Sequence, residues 1–273
     1  MYRVILCLAL SMGSFAAQAR ADWISTIAAS NPLNWYRLDE TTGPTAFDYG
    51  SQGLHGTYGT GIHAPVLGAA GLVGGAVSFD GNRRNILLNG SDLSGDWSAE
   101  FILMKTGTKH SAELLRGVPL ASPSTHLKLE QDPNTGLVGY TQSFVADRVF
   151  SPAYAAPIGE FVDLVFVKTA SEMRLYVNGV FQGSNPSTIA LSRYQFGDTE
   201  NESPIALVDE IVIYDRALSA TEIAAHFNAV PEPSSSALAA IGLLIVLVGG
   251  RSMLRKGKGI AGELAECRAL NIQ

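Results

Sequence analysis

Three β-rich runs follow one another through TASE and then Asn178-Gly179, and that arrangement constrains the fold more than any other stretch. Phe161–Thr169 (FVDLVFVKT) is dense in the β-branched and aromatic residues that suit a pleated strand. After TASE the chain returns through Met173, Leu175 and Val177, whose period of two marks one face of a strand. Asn-Gly suits the two positive backbone angles of a type I′ turn, so Val180 and Phe181 open the next strand. The pattern recurs along the chain. Gly74–Asn89 predicts a strand around Val77 and Phe79 paired with one around Ile86 and Leu88, joined through Asp80-Gly81. Trp97–Lys105 alternates Phe101 and Leu103 with less apolar neighbours, as a half-buried strand does. Leu127 and Leu129, a turn at Asp132–Gly136 and a return through Val138 and Tyr140 predict a further hairpin. Ala206–Tyr214 is a last strand, followed by a helix over Ser219–Phe227 with Ser219 and Glu222 placed for a reciprocal capping box. Many short strands between glycine-rich turns, with so little helix, predict an all-β, two-sheet antiparallel sandwich rather than βαβ units.

The two ends of the chain follow different rules. Residues 1–21 read as a secretory signal peptide: Arg3 gives the positive start, Val4–Leu10 begins the apolar stretch, and AAQARA offers small residues for cleavage after Ala19 or Ala21. Residues 22–229 form the single folded region expected here. Both cysteines, Cys7 and Cys267, lie outside it, so no disulfide can brace it in an oxidising compartment. Its 12 Lys and Arg against 22 Asp and Glu make it strongly acidic, which argues against nucleic acid and anionic lipid as partners.

Residues 230–258 end the folded region. Pro231-Glu232-Pro233 halts any preceding structure, three serines follow, and Ala237–Gly250 carries no charge. Arg251, Arg255, Lys256 and Lys258 then supply the positive flank expected on the cytoplasmic side. With no polar face, 237–250 reads as a short transmembrane segment rather than a buried helix. This order of Pro-Glu-Pro, apolar segment and basic cluster resembles the PEP-CTERM sorting signal of Gram-negative bacteria. The resemblance implies an exosortase-type processing enzyme as partner, a membrane-anchored precursor, and delivery to the cell envelope or extracellular matrix. The chain departs from that pattern by continuing through Gly259–Gln273, a cytoplasmic tail or an overrun.

A second resemblance covers residues 31–228. NWYRLDETTGPTAFDYGSQGLHGTY, AVSFDG, EFVDLVFVKTASEMRLYVNGVFQG and LVDEIVIYDRALSATEIAAHF occur in the order found in concanavalin A-like, laminin G-like jelly rolls. That family implies a jelly-roll sandwich binding carbohydrate or protein, often with calcium. Asp80 in FDG and Asp209 in VDE match family positions and are the metal-ligand candidates, with Asp48 and Asp198 as further ones. An acidic, cysteine-free region offers oxygen ligands, which suit calcium better than zinc.

Catalytic patterns are sparse. Sandwich glycosidases carry a Glu-x-Asp-x-Glu strand or similar, and none occurs. Glu160 with Asp163, and Asp209 with Glu210, have spacings that send them to opposite faces of a regular strand, as solvated or capping carboxylates. The five histidines are scattered without a metal-pair spacing. A serine triad stays open, although no GxSxG elbow is present. Tyr140, Tyr154 and Tyr194 are the candidates for stacking on a sugar ring, while Trp35 and Trp97 lie in apolar strand contexts that suit a core. The expected function is an exported, non-enzymatic binding module for polysaccharide or surface protein. The rivals are a structural matrix protein without a discrete ligand and a divergent polysaccharide hydrolase.

Overall fold

The computed structural model describes residues 22–117, 124–131 and 136–230. Sixteen strands run in chain order: β1 (Asn34–Tyr36), β2 (Thr45–Ala46), β3 (Gly56–Tyr58), β4 (Val66–Ala70), β5 (Gly75–Asp80), β6 (Asn85–Leu87), β7 (Trp97–Lys105) and β8 (Ala112–Arg116), then β9 (Thr125–Glu130), β10 (Gly139–Gln142), β11 (Ala146–Val149), β12 (Phe161–Lys168), β13 (Met173–Val177), β14 (Val180–Asn185), β15 (Gln195–Gly197) and β16 (Ile205–Tyr214). They form two eight-stranded sheets. Sheet A has the order β14-β13-β12-β7-β16-β5-β4, with β1 also on β16, and sheet B the order β11-β10-β9-β8-β15-β6-β3-β2. Every ladder pairing between these strands is antiparallel.

Alternation places Trp97, Ala99, Phe101 and Leu103 of β7 between the sheets, where Phe101 meets Phe166 of β12 edge-on and Phe196 of β15 at 6.3 Å. Trp35 and Trp97 are both buried, and Trp97 Nε1 donates to the Ile189 carbonyl. The β13–β14 hairpin turns at Asn178-Gly179 with φ of 50° and 76°, the positive angles for which this dipeptide is suited.

Three expectations change. Asp80-Gly81 does not close a hairpin: β5 lies in sheet A and β6 in sheet B, so this turn carries the chain from one sheet to the other. β7 is buried on both faces instead of one, because a second apolar layer covers the outside of sheet A. A helix over residues 22–29, α1, brings Trp23 and Ile27 to that layer, and α2 (Ala220–Ala229) brings Ile223. Ser219 caps α2 in the expected reciprocal box with Glu222.

The second layer also buries carboxylates expected in solvent. Glu160 is exposed, whereas Asp163, Asp209 and Glu210 are buried. Asp209 sits at a register shift in β16, a bulge that suspends alternation and lets both it and Glu210 point into the protein. Trp35 Nε1 donates to Glu210 Oε2 at 2.6 Å, while burial, then Asp209, pushes the Glu210 carboxyl well above its usual range. The signal peptide, the sorting residues Pro231, Glu232 and Pro233, the span 237–250, the flank Arg251, Arg255, Lys256 and Lys258, and the tail 259–273 lie outside the described residues. Among the described residues no helix is long and apolar enough to cross a membrane.

Candidate functional site: a charged cleft on sheet B

The outward face of β8, β9 and β10 carries a dense polar constellation. Leu127 and Leu129 point into the core, so strand alternation turns His126, Lys128 and Glu130 to the other face. Bulges between Ala112 and Glu113 and between Glu113 and Leu115 bring Glu113 and Arg116 onto the same face. Glu113 is the hub. His126 Nδ1 lies 2.7 Å and Lys128 Nζ 3.0 Å from its Oε1, and Arg116 Nε lies 3.3 Å from its Oε2. Lys128 spends its remaining protons on Ser111 Oγ at 2.6 Å and Glu202 Oε2 at 3.0 Å, and Arg116 Nη1 also binds Asp198 Oδ1. His126 Nε2 meets Ser124 Oγ at 2.8 Å and Ser143 Oγ at 2.9 Å.

The electrostatics follow from that pairing. Burial pushes the Glu113 carboxyl up, but the hydrogen bond from His126 and the charges of Lys128, His126 and Arg116 outweigh it and hold the group at about 2. Glu113 is therefore a fixed anion at neutral pH, and its cations are neutralised before any ligand arrives.

Above the buried layer opens a cleft of about 520 Å3. Its rim is made by the β10–β11 hairpin and the loop before β16. Phe144, at the hairpin tip with φ of 63°, is 95% exposed beside the exposed Val145. Across from them stand Glu200 and Glu202, with Asp147 on the near side accepting from Thr141 Oγ1 at 2.6 Å. An exposed aromatic ring beside acceptor carboxylates and hydroxyls suits a hydroxyl-rich ligand, which offers C–H faces to the ring and O–H donors to the carboxylates. Glu113 and Glu202 share one ammonium, so the space between these two carboxylates is filled by Lys128.

The candidates drawn from sequence lie elsewhere. Tyr140 is fully buried, since its position on β10 faces the core, and its hydroxyl donates to the Ser187 carbonyl at 2.5 Å. Tyr154 packs partly buried against the same core, and Tyr194 is half-buried. Burial, then Glu160, raises the Tyr154 hydroxyl, as expected of a ring without ready access to water. None of the three lines the cleft. Phe144 replaces them. Its signal in the sequence was the apolar pair Phe144-Val145 in the middle of the polar stretch TQSFVADR, where a hairpin tip must fall.

Asp80 and Asp209 lie apart, and both carboxylates already have partners. Ile205 pairs with Asp80 across β5 and β16, which leaves Asp209 four residues, roughly 13 Å, further along the strand. Asp80 accepts from the Arg84 guanidinium through both oxygens and from Asn82 N; burial raises its carboxyl, but these bonds outweigh it and lower the group. Asp209 Oδ2 accepts from Leu72 N at 2.5 Å and Val73 N at 2.7 Å. Asp48 accepts from Asn34 Nδ2, Trp35 N, Gly50 N and Leu54 N, and so organises its own loop. Asp198 pairs with Arg116. Among the described residues no three His, Cys, Asp or Glu side chains gather as a metal site.

A two-sheet antiparallel sandwich with its polar cleft on an outer sheet face fits the jelly-roll class. The chain belongs to the Concanavalin A-like lectin/glucanases superfamily, whose laminin G-type family model matches residues 80–224, more than half of the chain. No curated protein sequence matches it. Among solved structures it is similar to domain 4 of AbnA, a GH43 extracellular arabinanase from Geobacillus stearothermophilus in complex with arabinotriose, at 20% identity and TM-score 0.55, over 72% of this chain and 98% of that one. It is also similar to the Botulinum neurotoxin serotype D binding domain, at 11% identity and TM-score 0.54, over 74% of this chain and 52% of that one. Trypanosoma rangeli sialidase gives 11% identity and TM-score 0.52, over 80% of this chain but 38% of the sialidase. At these identities the likeness is one of fold.

Proposed function

We propose that the chain is an exported binding module whose sheet B cleft holds a neutral, hydroxyl-rich polysaccharide. The observation that carries this reading is Phe144, exposed at the hairpin tip over a cleft edged by Glu200, Glu202 and Asp147. The arabinotriose in the arabinanase domain supports a carbohydrate ligand for this chain. In the same reading, residues 1–21 direct export and 230–258 direct exosortase-type sorting to the cell envelope of a Gram-negative bacterium, through a transient membrane anchor. Glycoside hydrolysis fits less well, because a substrate carbon would have to sit between two carboxylates where Lys128 already lies. A surface protein as ligand is the second outcome the test below distinguishes.

The test is titration of the purified chain against neutral and acidic polysaccharides, with calcium and then with chelator. Saturable binding to a neutral polysaccharide, weakened about tenfold by Phe144→Ala, is the expected result, since a lost ring contact is worth about 1.4 kcal/mol. Chelation should leave it unchanged, because the Asp80 and Asp209 carboxylates are already occupied. Binding indifferent to both Phe144→Ala and Glu202→Gln would move the site away from this cleft. No binding to any polysaccharide would put a protein ligand or a structural matrix role ahead.

A further inference from the structure

On the opposite side of the sandwich, where α1 and α2 lie over sheet A, three side chains from distant parts of the sequence form a relay. Ser30, just past the end of α1, places its Oγ 2.8 Å from His226 Nε2. His226, on α2, places Nδ1 2.8 Å from Glu100 Oε2 on β7. A carboxylate at Nδ1 selects the tautomer protonated there, which leaves the Nε2 lone pair, at 2.8 Å, to accept the Ser30 proton in competition with the Thr26 carbonyl at 3.2 Å. Exposure is graded as a nucleophile requires: Glu100 and His226 are buried, and Ser30 is half-exposed. Ser30 and His226 line an open cleft of about 450 Å3 together with Arg216 and Glu222.

We infer that Ser30, His226 and Glu100 form a nucleophilic triad that cleaves small carboxylic esters in the cleft between the two helices. Ser30 Oγ adds to the ester carbonyl carbon while its proton passes to His226 Nε2, and the carbonyl electron pair moves onto oxygen. Collapse re-forms the carbonyl, breaks the bond to the alcohol oxygen, and returns the proton from Nε2 to the leaving alcohol. Water then repeats the sequence on acyl-Ser30 and releases the carboxylic acid. Arg216 lines the same cleft and is the cation nearest the oxyanion charge, although its Nη2 is already held by the Ser30 carbonyl at 3.1 Å and by Glu222 at 2.8 Å. Ser30 N and Asn31 N are spent inside the last turn of α1, so no backbone pair from this segment supplements it. Losing one such donor costs about 100- to 1000-fold in rate, so turnover should be slow and covalent capture is the better readout.

The surroundings of His226 are consistent with this role. Tyr214 stacks on the imidazole, Trp23 meets it edge-on, and Arg216 is paired with Glu222 at the cleft rim. Asp163, behind Glu100 on β12, is pushed well up by burial and then by Glu100, which favours its uncharged form there.

The experiment is labelling of the full-length chain with a fluorophosphonate ester, followed by mass spectrometry of the adducts. One phosphonyl group on Ser30 is expected, forming at least about tenfold faster than on Ser25, which lines the same cleft without a histidine partner. Glu100→Gln should slow it about tenfold or more, and Ser30→Ala should abolish it while lowering the thermal midpoint by no more than about 4 °C, the cost of one lost hydrogen-bond partner. Absence of a Ser30 adduct on the folded chain would overturn the triad. So would a rate equal to that of Ser25, or one that ignores Glu100→Gln.

Discussion

Replacing Glu113 by Gln tests whether the charged layer on sheet B is held together through one carboxylate. The magnitude can be approached from two sides. A shift from the ordinary 4.5 to about 2 corresponds to about 3 kcal/mol of native-state stability at neutral pH. Removing one partner of a buried ion pair costs about 3 to 5 kcal/mol, and here the lower end applies, because Lys128 keeps Glu202 and Arg116 keeps Asp198. Both routes give about 3 kcal/mol, or about 6 to 12 °C in thermal midpoint for a domain of this size. The sign with pH follows from the direction of the shift. A depressed carboxyl contributes fully above its unfolded value, so the wild-type chain should lose this stabilisation as pH falls from about 5 towards about 2. Glu113→Gln should show no such loss from this group. Urea unfolding followed by circular dichroism at about pH 7 and about pH 3 reads both effects, with the gap between the two proteins narrowing by more than half at the lower pH. A gap below about 1 kcal/mol at neutral pH, or one that does not narrow, would refute the hub.

Asp163→Asn should act in the opposite direction with pH. The Asp163 carboxyl is raised by burial and Glu100, so its contribution is intact below the usual 3.8 and is lost as pH rises towards the raised value; the variant should gain on wild type across that window in chemical denaturation. Ser219→Ala removes the α2 cap and should cost about 1 kcal/mol, read as about 2 to 4 °C by calorimetry. Asp209→Ala leaves the amides of Leu72 and Val73, in the turn between β4 and β5, without their carboxylate acceptor and should cost about 2 to 3 kcal/mol with or without calcium in the buffer. A loss seen only in calcium would reverse the assignment of this carboxylate.

Those perturbations also show where sequence pattern reaches and where it stops. Alternation, Asn-Gly and the Ser219 box depend on neighbours a few residues apart, so the β13–β14 hairpin, the β9–β10 pair and α2 are legible from the chain alone. Asp80-Gly81 carries a turn signal just as plainly, yet no local rule says that the following strand joins the other sheet. The outer cover of sheet A was hidden because α1 begins where a cleaved leader is expected to end. Trp23 and Ile27 have helical spacing, but only the packed structure shows which face they cover.

The sites fall on the far side of that line. Period two assigns side chains to faces without saying which face is wet, and the Asp209 bulge breaks even the assignment. Once helices cover sheet A, a carboxylate that looks solvated becomes a buried one needing a partner, and Glu100 meets its partner 126 residues away in His226. The same logic works in reverse for tyrosine. A ring favoured for stacking on sugar is equally favoured in a core, and on β10 the register gives Tyr140 to the core, while the ring left in solvent is the Phe144 of the turn. The proposed binding cleft in this sandwich therefore lies where strands end and loops cross. There the geometry is set by contacts across sheets, so residue type read along the chain identifies the fold well before it identifies the ligand.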